Sequence, residues 1–113
     1  VQMDVRQLGD GTVRVTFIGR LDTPGVGRVE TQFTACCVPS GHNVLVDLSQ
    51  VEFIGSLGVR MFIAVARSLA RKNARLFLIA PQDQVREVFE HVSLDELIPI
   101  CADEAEAQSA LGA

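Results

Sequence analysis

The stretch VLVDLSQVEFIGSLGVRMFIAVARSLARKNARLFLIAP, residues 44–81, determines the fold. Residues 44–48 are almost continuously apolar, which is typical of a strand covered on both faces. Residues 56–72 contain no proline and predict a long helix, and residues 75–80 predict a second buried strand. A strand, a helix and a second strand in this order require a parallel crossover. The stretch therefore predicts an α/β fold.

The residues before this stretch predict an antiparallel hairpin followed by a helix. Apolar and polar residues alternate over residues 1–5 and 13–17, and residues 9–11, Gly-Asp-Gly, supply a turn between them. Residues 22–24, Asp-Thr-Pro, form a helix-start signal, because proline in the first helical turn sacrifices no hydrogen bond. Apolar residues then follow at helical spacing, namely Val26, Val29, Phe33 and Cys36 or Cys37.

The residues after this stretch predict further helices and a short strand. Residues 82–92 form an amphipathic pattern, with Val85, Val88, Phe89 and Val92 on one face. Residues 98–100 predict a last strand, and residues 103–111 a final helix whose leading acids suit its N-terminus. We therefore expect a single α/β domain over residues 1–113, with a mixed β-sheet, antiparallel first and then parallel, packed with about four α-helices.

Composition excludes several classes of function. The 113 residues are 48% hydrophobic, enough to bury a core, and carry a net charge of −4, which argues against nucleic-acid binding. The apolar runs 61–66 and 76–80 fall far short of the roughly 20 residues that a membrane span needs. Residues 1–11 lack the features of a signal peptide. We expect a cytoplasmic protein without direct membrane insertion.

No metal site or cofactor is expected. The adjacent Cys36 and Cys37 lack the CxxC spacing that lets two thiolates reach one zinc ion, and Cys101 lies far from them. His42 and His91 have no further ligand at a recognisable spacing. The cysteines are interpreted as packing residues in a reducing compartment.

Enzyme sites are also not supported. A GxSxG nucleophile motif is broken by Ile54 at its first glycine position, and the only later histidine, His91, lies in a predicted helix. A phosphate-binding loop would need Lys and a hydroxyl residue at positions 59–60, which are Val-Arg. Asp47 and Glu52 lack the partner histidine or metal motif of an acid–base pair. No catalytic residue is predicted.

The most informative position is Ser56, at the predicted boundary between the end of a strand and the start of the long helix. Ligands of open α/β sheets bind at such strand ends. The serine hydroxyl can cap the free N–H groups of the helix, and the same groups would stabilise a phosphate attached to that oxygen. Both an ordinary helix cap and a modified serine fit this position.

A helical wheel places a basic stripe, Arg60, Arg67 and Arg71, beside Ser56. The opposite side is expected to face the core, and consists of Val59, Phe62, Ala66, Leu69 and Ala70. Leu57 and Met61 flank the stripe and are predicted to be poorly buried. An apolar edge next to a basic stripe suits a partner surface. A solvated helix face explains the stripe equally well.

Residues 44–100 resemble the STAS domains of bacterial anti-sigma factor antagonists. The most specific parts are DLS at 47–49, V-x-F-I at 51–54, Ser-x-Gly at 56–58, and the run PQDQVREVF at 81–89. The opening hairpin and its helix fit the order of elements in this family but carry little signature.

The resemblance implies a switch without enzymatic activity. The unphosphorylated domain would bind an anti-sigma factor that is also a serine kinase, which frees the sigma factor. Phosphorylation would break this complex, and a PP2C-type phosphatase would restore it. By position Ser56 matches the phosphoacceptor, Asp47 and Ser49 the strand-end motif, and Gly58 the helix-start glycine. With the wheel, the predicted partner-binding residues are Asp47, Ser49, Gly55, Ser56, Leu57, Gly58, Arg60 and Met61.

Two residues depart from the family pattern. The family commonly has Asp before the phosphoacceptor and a small hydroxyl residue after it, where this chain has Gly55 and Leu57. An acid at that place would tune the approach of a kinase. The alternative is a STAS subunit that clamps a transporter ATPase or another regulatory assembly without phosphoryl exchange, with Leu57 and Met61 in a permanent interface.

Overall fold

The computed structural model describes residues 1–112. Its sheet has five strands in the spatial order β1-β2-β3-β4-β5: β1 Gln2–Gln7, β2 Val13–Leu21, β3 Val44–Ile54, β4 Leu76–Ile79 and β5 Ile100–Cys101. The described residues also form four α-helices, α1 Thr23–Cys37, α2 Ser56–Ala70, α3 Asp83–His91 and α4 Glu104–Gly112, and a 3-10 turn, Leu94–Glu96. β1 pairs antiparallel with β2, and every later pair is parallel. The predicted fold class is confirmed.

Local sequence signals explain where the first elements begin. Gly11 adopts a φ of 91° in the hairpin turn, a conformation that glycine reaches without strain. Asp22 is the N-cap of α1 and accepts a hydrogen bond from the Gly25 N–H at 2.9 Å. Pro24 lies in the first turn of that helix, where the missing N–H costs nothing.

The two faces of the sheet are covered unequally. One face packs against α1, α2 and α3 and holds the main core, including the mutually contacting rings of Phe17, Phe33 and Phe62. The other face carries a smaller core, in which α4 covers Leu45 and Phe77. Alternate residues of β3 therefore serve different cores, which explains its nearly continuous apolar start.

Strand β3 extends well beyond its neighbour β4. Only its residues 44–47 pair with β4, whereas pairing with β2 continues to Ile54. Two side chains from the start of α3 cover the edge that this leaves: Gln82 Nε2 donates to the Ser49 carbonyl at 2.9 Å, and Gln84 Nε2 donates to the Glu52 carbonyl at 3.3 Å. Because of this extension, α2 begins beyond the part of β3 that pairs with β4.

Several boundaries differ from the predicted ones. β3 runs on past residue 48, because its extension buries only Val51 and Ile54 and so loses the apolar signal. α2 ends at Ala70 rather than residue 72, and β5 is Ile100–Cys101 because Ile98 packs into the main core. The prediction that Val92 shares a helix face with Val85 and Phe89 is wrong, since α3 ends at His91 and Val92 is 51% exposed.

Within residues 1–112, no helix is both long and apolar enough to cross a membrane. Over the same residues, no group of three or more His, Cys, Asp or Glu side chains is placed to hold a metal ion. Cys37 packs in the main core and Cys101 in the smaller one. Burial, together with the neighbouring Cys36, raises the pKa of Cys37 to about 12 and keeps its thiol protonated.

Candidate functional site

Ser56 is the first residue of α2, and its side chain is exposed. The N-cap is Gly55, in an extended conformation, and its carbonyl accepts from the N–H groups of Gly58 at 3.1 Å and Val59 at 3.2 Å. Of the two alternatives for Ser56, the helix cap is therefore wrong, because the N-cap position falls on Gly55, one residue earlier. Within residues 1–112 this hydroxyl makes no side-chain hydrogen bond, so it faces solvent.

Gly58 holds the start of the helix close to the sheet. It is buried, and a Cβ at this position would lie 2.7 Å from Ile54 Cγ1 and 3.3 Å from Leu21 Cβ. Only glycine allows the first turn of α2 to pack this closely on the ends of β2 and β3. Its burial gives Gly58 a packing role, and its contact with a partner stays a prediction.

Gly55, in contrast, has space around it. A Cβ there would meet the Phe53 ring at 3.6 Å, an ordinary contact, and the extended backbone suits any residue. The aspartate that the resemblance implies at this position would fit. Its absence is a property of the sequence and not a requirement of the fold.

Two large apolar side chains are exposed beside Ser56. Phe53 is 39% exposed and Leu57 is 37% exposed. The Arg20 guanidinium lies 4.6 Å from the centre of the Phe53 ring, and its Nε lies 3.6 Å from Asp22 Oδ2. This cation–π contact holds the ring at the surface. Exposed aromatic and arginine side chains are typical anchors of protein interfaces.

Sequence reasoning missed Arg20 and Phe53 as surface residues. Strict alternation would place Phe53 on the same face as the buried Val51. The pairing of β2 with β3 shifts here, because Gly19 opposes Val51 while Arg20 opposes Phe53, so Glu52 is an extra residue. Such a bulge reverses the following side chains. The signal lies in the register between two strands, which the sequence of one strand does not contain.

The basic stripe is exposed as predicted, but the exposed apolar edge beside it is smaller than predicted. Arg60, Arg67 and Arg71 all reach solvent. The prediction that Met61 is poorly buried is wrong, since Met61 is 2% exposed and belongs to the main core. α2 packs against α1 as well as against the sheet, which moves its buried face towards Met61 and leaves Ala70 exposed.

Asp47 lies elsewhere, on the sheet face that α4 covers. It is nearly buried, its Oδ2 lies 2.7 Å from Arg14 Nη2, and its Oδ1 accepts from the Ser49 N–H at 2.9 Å. Arg14 also pairs with Glu104, at the start of α4. Burial alone would raise the pKa of Asp47, but the Ser49 and Arg14 contacts outweigh it and lower the pKa. This Asp47 network joins β2, β3 and α4.

The predicted site residues therefore separate into different places. Asp47 and Ile54 are seven positions apart in β3. At about 3.3 Å per residue, this separates them by roughly 20 Å along the strand. Ser49 is exposed between them, and its carbonyl is held by Gln82. The residues around the start of α2 form what we call the Ser56 surface: the exposed Arg20, Phe53, Ser56, Leu57 and Arg60 and the half-buried Gly55. Gly58 and Met61 are buried residues of α2 beneath this surface, and Asp47 is remote from it.

Comparison with known proteins gives a consistent result. The STAS domain family model matches residues 3–107. BtrV of Bordetella bronchiseptica, provisionally named an anti-sigma factor antagonist, is 28% identical over 101 residues, which cover 89% of this chain and 86% of BtrV. The anti-sigma-B factor antagonist of Listeria monocytogenes is 22% identical over 100 residues, 88% of each chain.

The fold also agrees with that of a solved structure. The Bacillus cell fate determinant SpoIIAA, in its phosphorylated form, superposes with a TM-score of 0.72, at 21% identity, over 97% of this chain and 99% of SpoIIAA. Three observations indicate the same family. They are the family model that covers most of the chain, the agreeing fold, and the DLS and Ser-x-Gly motifs. The chain belongs to the STAS domain family.

Proposed function

We propose that this chain is an anti-sigma factor antagonist, a binding module whose Ser56 surface captures an anti-sigma factor that is also a serine kinase. The observation that carries the proposal is the exposed Ser56, at the first position of α2, between the exposed Phe53 and Leu57. Its relatives with anti-sigma factor antagonist names support this class of partner.

The unphosphorylated surface suits a partner with an apolar contact area. Phe53 and Leu57 supply two large side chains that gain by leaving water, and Arg20 holds the Phe53 ring in place. Arg60 lies one turn from Ser56 at the rim and offers a charge for an acidic residue of the partner. Because these groups are already in position, binding orders few of them.

Phosphorylation of Ser56 would make this surface unfavourable for the apolar contact area of the partner. The kinase transfers the γ-phosphoryl group of ATP to the Ser56 oxygen: the new O–P bond replaces the bond to ADP, and the hydroxyl proton passes to a base of the kinase. The product carries a charge of roughly −1.5 to −2 at the centre of the contact area. The free N–H groups of α2 and the Arg60 side chain, four residues further on, stabilise it in the free chain.

Release of the partner follows from the cost of burying that charge. In the free chain the phosphate is solvated, whereas in the complex it would lie between apolar side chains and lose water. A PP2C-type phosphatase would restore binding by directing water to the phosphorus atom, which returns the serine hydroxyl and free phosphate. The chain itself supplies no catalytic group in either reaction.

The proposal is tested by affinity capture from a lysate of the source cells, with bound proteins identified by mass spectrometry. The baits are the wild type, Ser56→Ala, Ser56→Asp and, as matched control, Ser109→Asp, an exposed serine on α4. We expect an ATP-binding serine kinase on every bait except Ser56→Asp. If all four baits retain the same transporter or scaffold subunits, and Ser56 recovered from cells carries no phosphoryl group, the permanent-interface alternative replaces the switch.

A further inference from the structure

Strand β1 is an open edge of the sheet. All six of its residues pair with β2 in one unbroken register, and no strand within residues 1–112 pairs with its other side. Five of the six side chains are exposed, including Val5 at 37%. Exposed edges are usually protected by proline, a bulge, very short length or charged side chains. β1 has no proline and no bulge, and its two charged residues, Asp4 and Arg6, are of opposite sign. Its outward N–H and C=O groups are free to pair with another strand.

The sequence of β1 is complementary to itself. Outward-facing backbone groups alternate along an edge strand, so two identical strands pair antiparallel only in registers centred on a residue. A centre at Asp4 places two aspartates opposite each other, and a centre at Arg6 places two arginines opposite each other. A centre at Val5 instead places Asp4 of each copy opposite Arg6 of the other. Directly opposed like charges destabilise a sheet, and opposed unlike charges stabilise it.

We propose that two copies of this chain pair antiparallel through β1, about a two-fold axis at Val5. Both Asp4–Arg6 pairs then lie on the open side of the sheet, in the groove that Arg14 and Asp47 also line. On the other side of the sheet, Val5 lies beside the buried Val15 of β2. In the dimer, Val5 of one copy packs against Val5 of the other and becomes less exposed. The two five-stranded sheets become one sheet of ten strands.

The charges of β1 are free to make these contacts. Asp4 and Arg6 face each other within one chain at 3.7 Å, but their side chains are largely exposed, and such a pair contributes little. Exchanging it for two pairs between copies costs little and adds backbone hydrogen bonds. The ladder is short, so we expect a weak dimer that forms at high chain concentration.

This pairing leaves the Ser56 surface free. β1 pairs with β2 over residues 13–18, whereas the Ser56 surface begins at Arg20. A dimer would therefore present two Ser56 surfaces, and binding to the proposed kinase does not depend on it. Failure of one proposal does not affect the other.

Sedimentation equilibrium of the full chain, with any tag at the C-terminus, tests the pairing over a dilution series from micromolar to millimolar. The variants are Asp4→Arg, Arg6→Asp and the double variant that carries both. We expect the wild type to self-associate and each single variant to do so more weakly by about tenfold or more, because both pairs become repulsive. The double variant restores association, as does an equimolar mixture of the two single variants.

Two results would overturn the proposal. One is a wild type that remains monomeric at every concentration. The other is self-association that neither single variant weakens, which would place the contact elsewhere. Both positions are exposed, so circular dichroism and thermal unfolding of the variants should match the wild type. The recovery in the double variant excludes misfolding as the cause of any loss.

Discussion

The Ser56 surface and the Asp47 network are both built by strand β3, yet they have opposite properties. Asp47 is nearly buried and bound to Arg14 and to the Ser49 N–H, whereas Ser56 is exposed and its side chain is unbonded within the described residues. Neighbouring parts of one motif block thus serve different purposes. The bonded part connects the sheet to α4, whereas the Ser56 side chain is exposed, as the proposed partner binding and phosphorylation both require.

The largest effect on folding is expected at Gly58, which packs the first turn of α2 beneath the Ser56 surface. Gly58→Ala should lower the free energy of unfolding by roughly 1–3 kcal/mol, because its Cβ would overlap Ile54. The matched control is Gly27→Ala in α1, where a Cβ meets nothing within 4 Å and the change should stabilise by about 0.5–1 kcal/mol. Urea unfolding measures both. Equal stability of Gly58→Ala and wild type would contradict the close packing of α2.

Asp47→Asn should destabilise the chain by about 1–3 kcal/mol at neutral pH, because Arg14 loses a charged partner. The lowered pKa of Asp47 adds a pH dependence: its contribution is complete above about 3.9, the unfolded value, and disappears as pH falls through the folded value. Unfolding at pH 7 and pH 3 should therefore show a difference between wild type and variant that shrinks in acid. Glu90→Gln, at an exposed residue of α3, is the control, and a constant difference would contradict the network.

On the Ser56 surface, truncation should affect binding and leave folding intact. Phe53→Ala and Leu57→Ala should each weaken binding of the captured partner by about 10- to 100-fold, as expected for central anchors. Thermal unfolding should change little, since both side chains are already partly in water. Val92→Ala removes an apolar side chain of greater exposure on α3 and serves as control. Equal losses for all three variants would argue against a localised contact.

The smallest effect on stability is expected at Gly55. Gly55→Asp should add a few tenths of a kcal/mol, because a side-chain cap replaces glycine at the N-cap of α2. It should also speed phosphorylation of Ser56 by the captured kinase if the missing acid is what tunes the reaction. Gly55→Asn caps as well without adding charge, so it separates the two effects. The same initial rate for both variants would assign any gain to capping alone.

The fold class, the change from antiparallel to parallel strands and the approximate helix positions were predictable, because they follow from apolar periodicity and turn residues. The Ser56 position was also predictable, because a glycine-rich handover from strand to helix is visible in the sequence. The exposure of Phe53 was not, since it depends on a bulge between β2 and β3. The burial of Met61 was not, since it depends on how α1 lies against α2. Local sequence patterns specify helices and strands, whereas the burial of a side chain also depends on how its helix or strand packs against the neighbouring ones.

The central claim is that one phosphoryl group on Ser56 decides whether the partner binds. The direct measurement is calorimetric titration of the purified partner with the unphosphorylated chain and with the same chain phosphorylated at Ser56. Burial of an unpaired charge predicts a loss of affinity of about 100-fold or more, and treatment with a phosphatase should reverse it. Equal affinity of the two forms would contradict the switch and leave the Ser56 surface as a permanent contact.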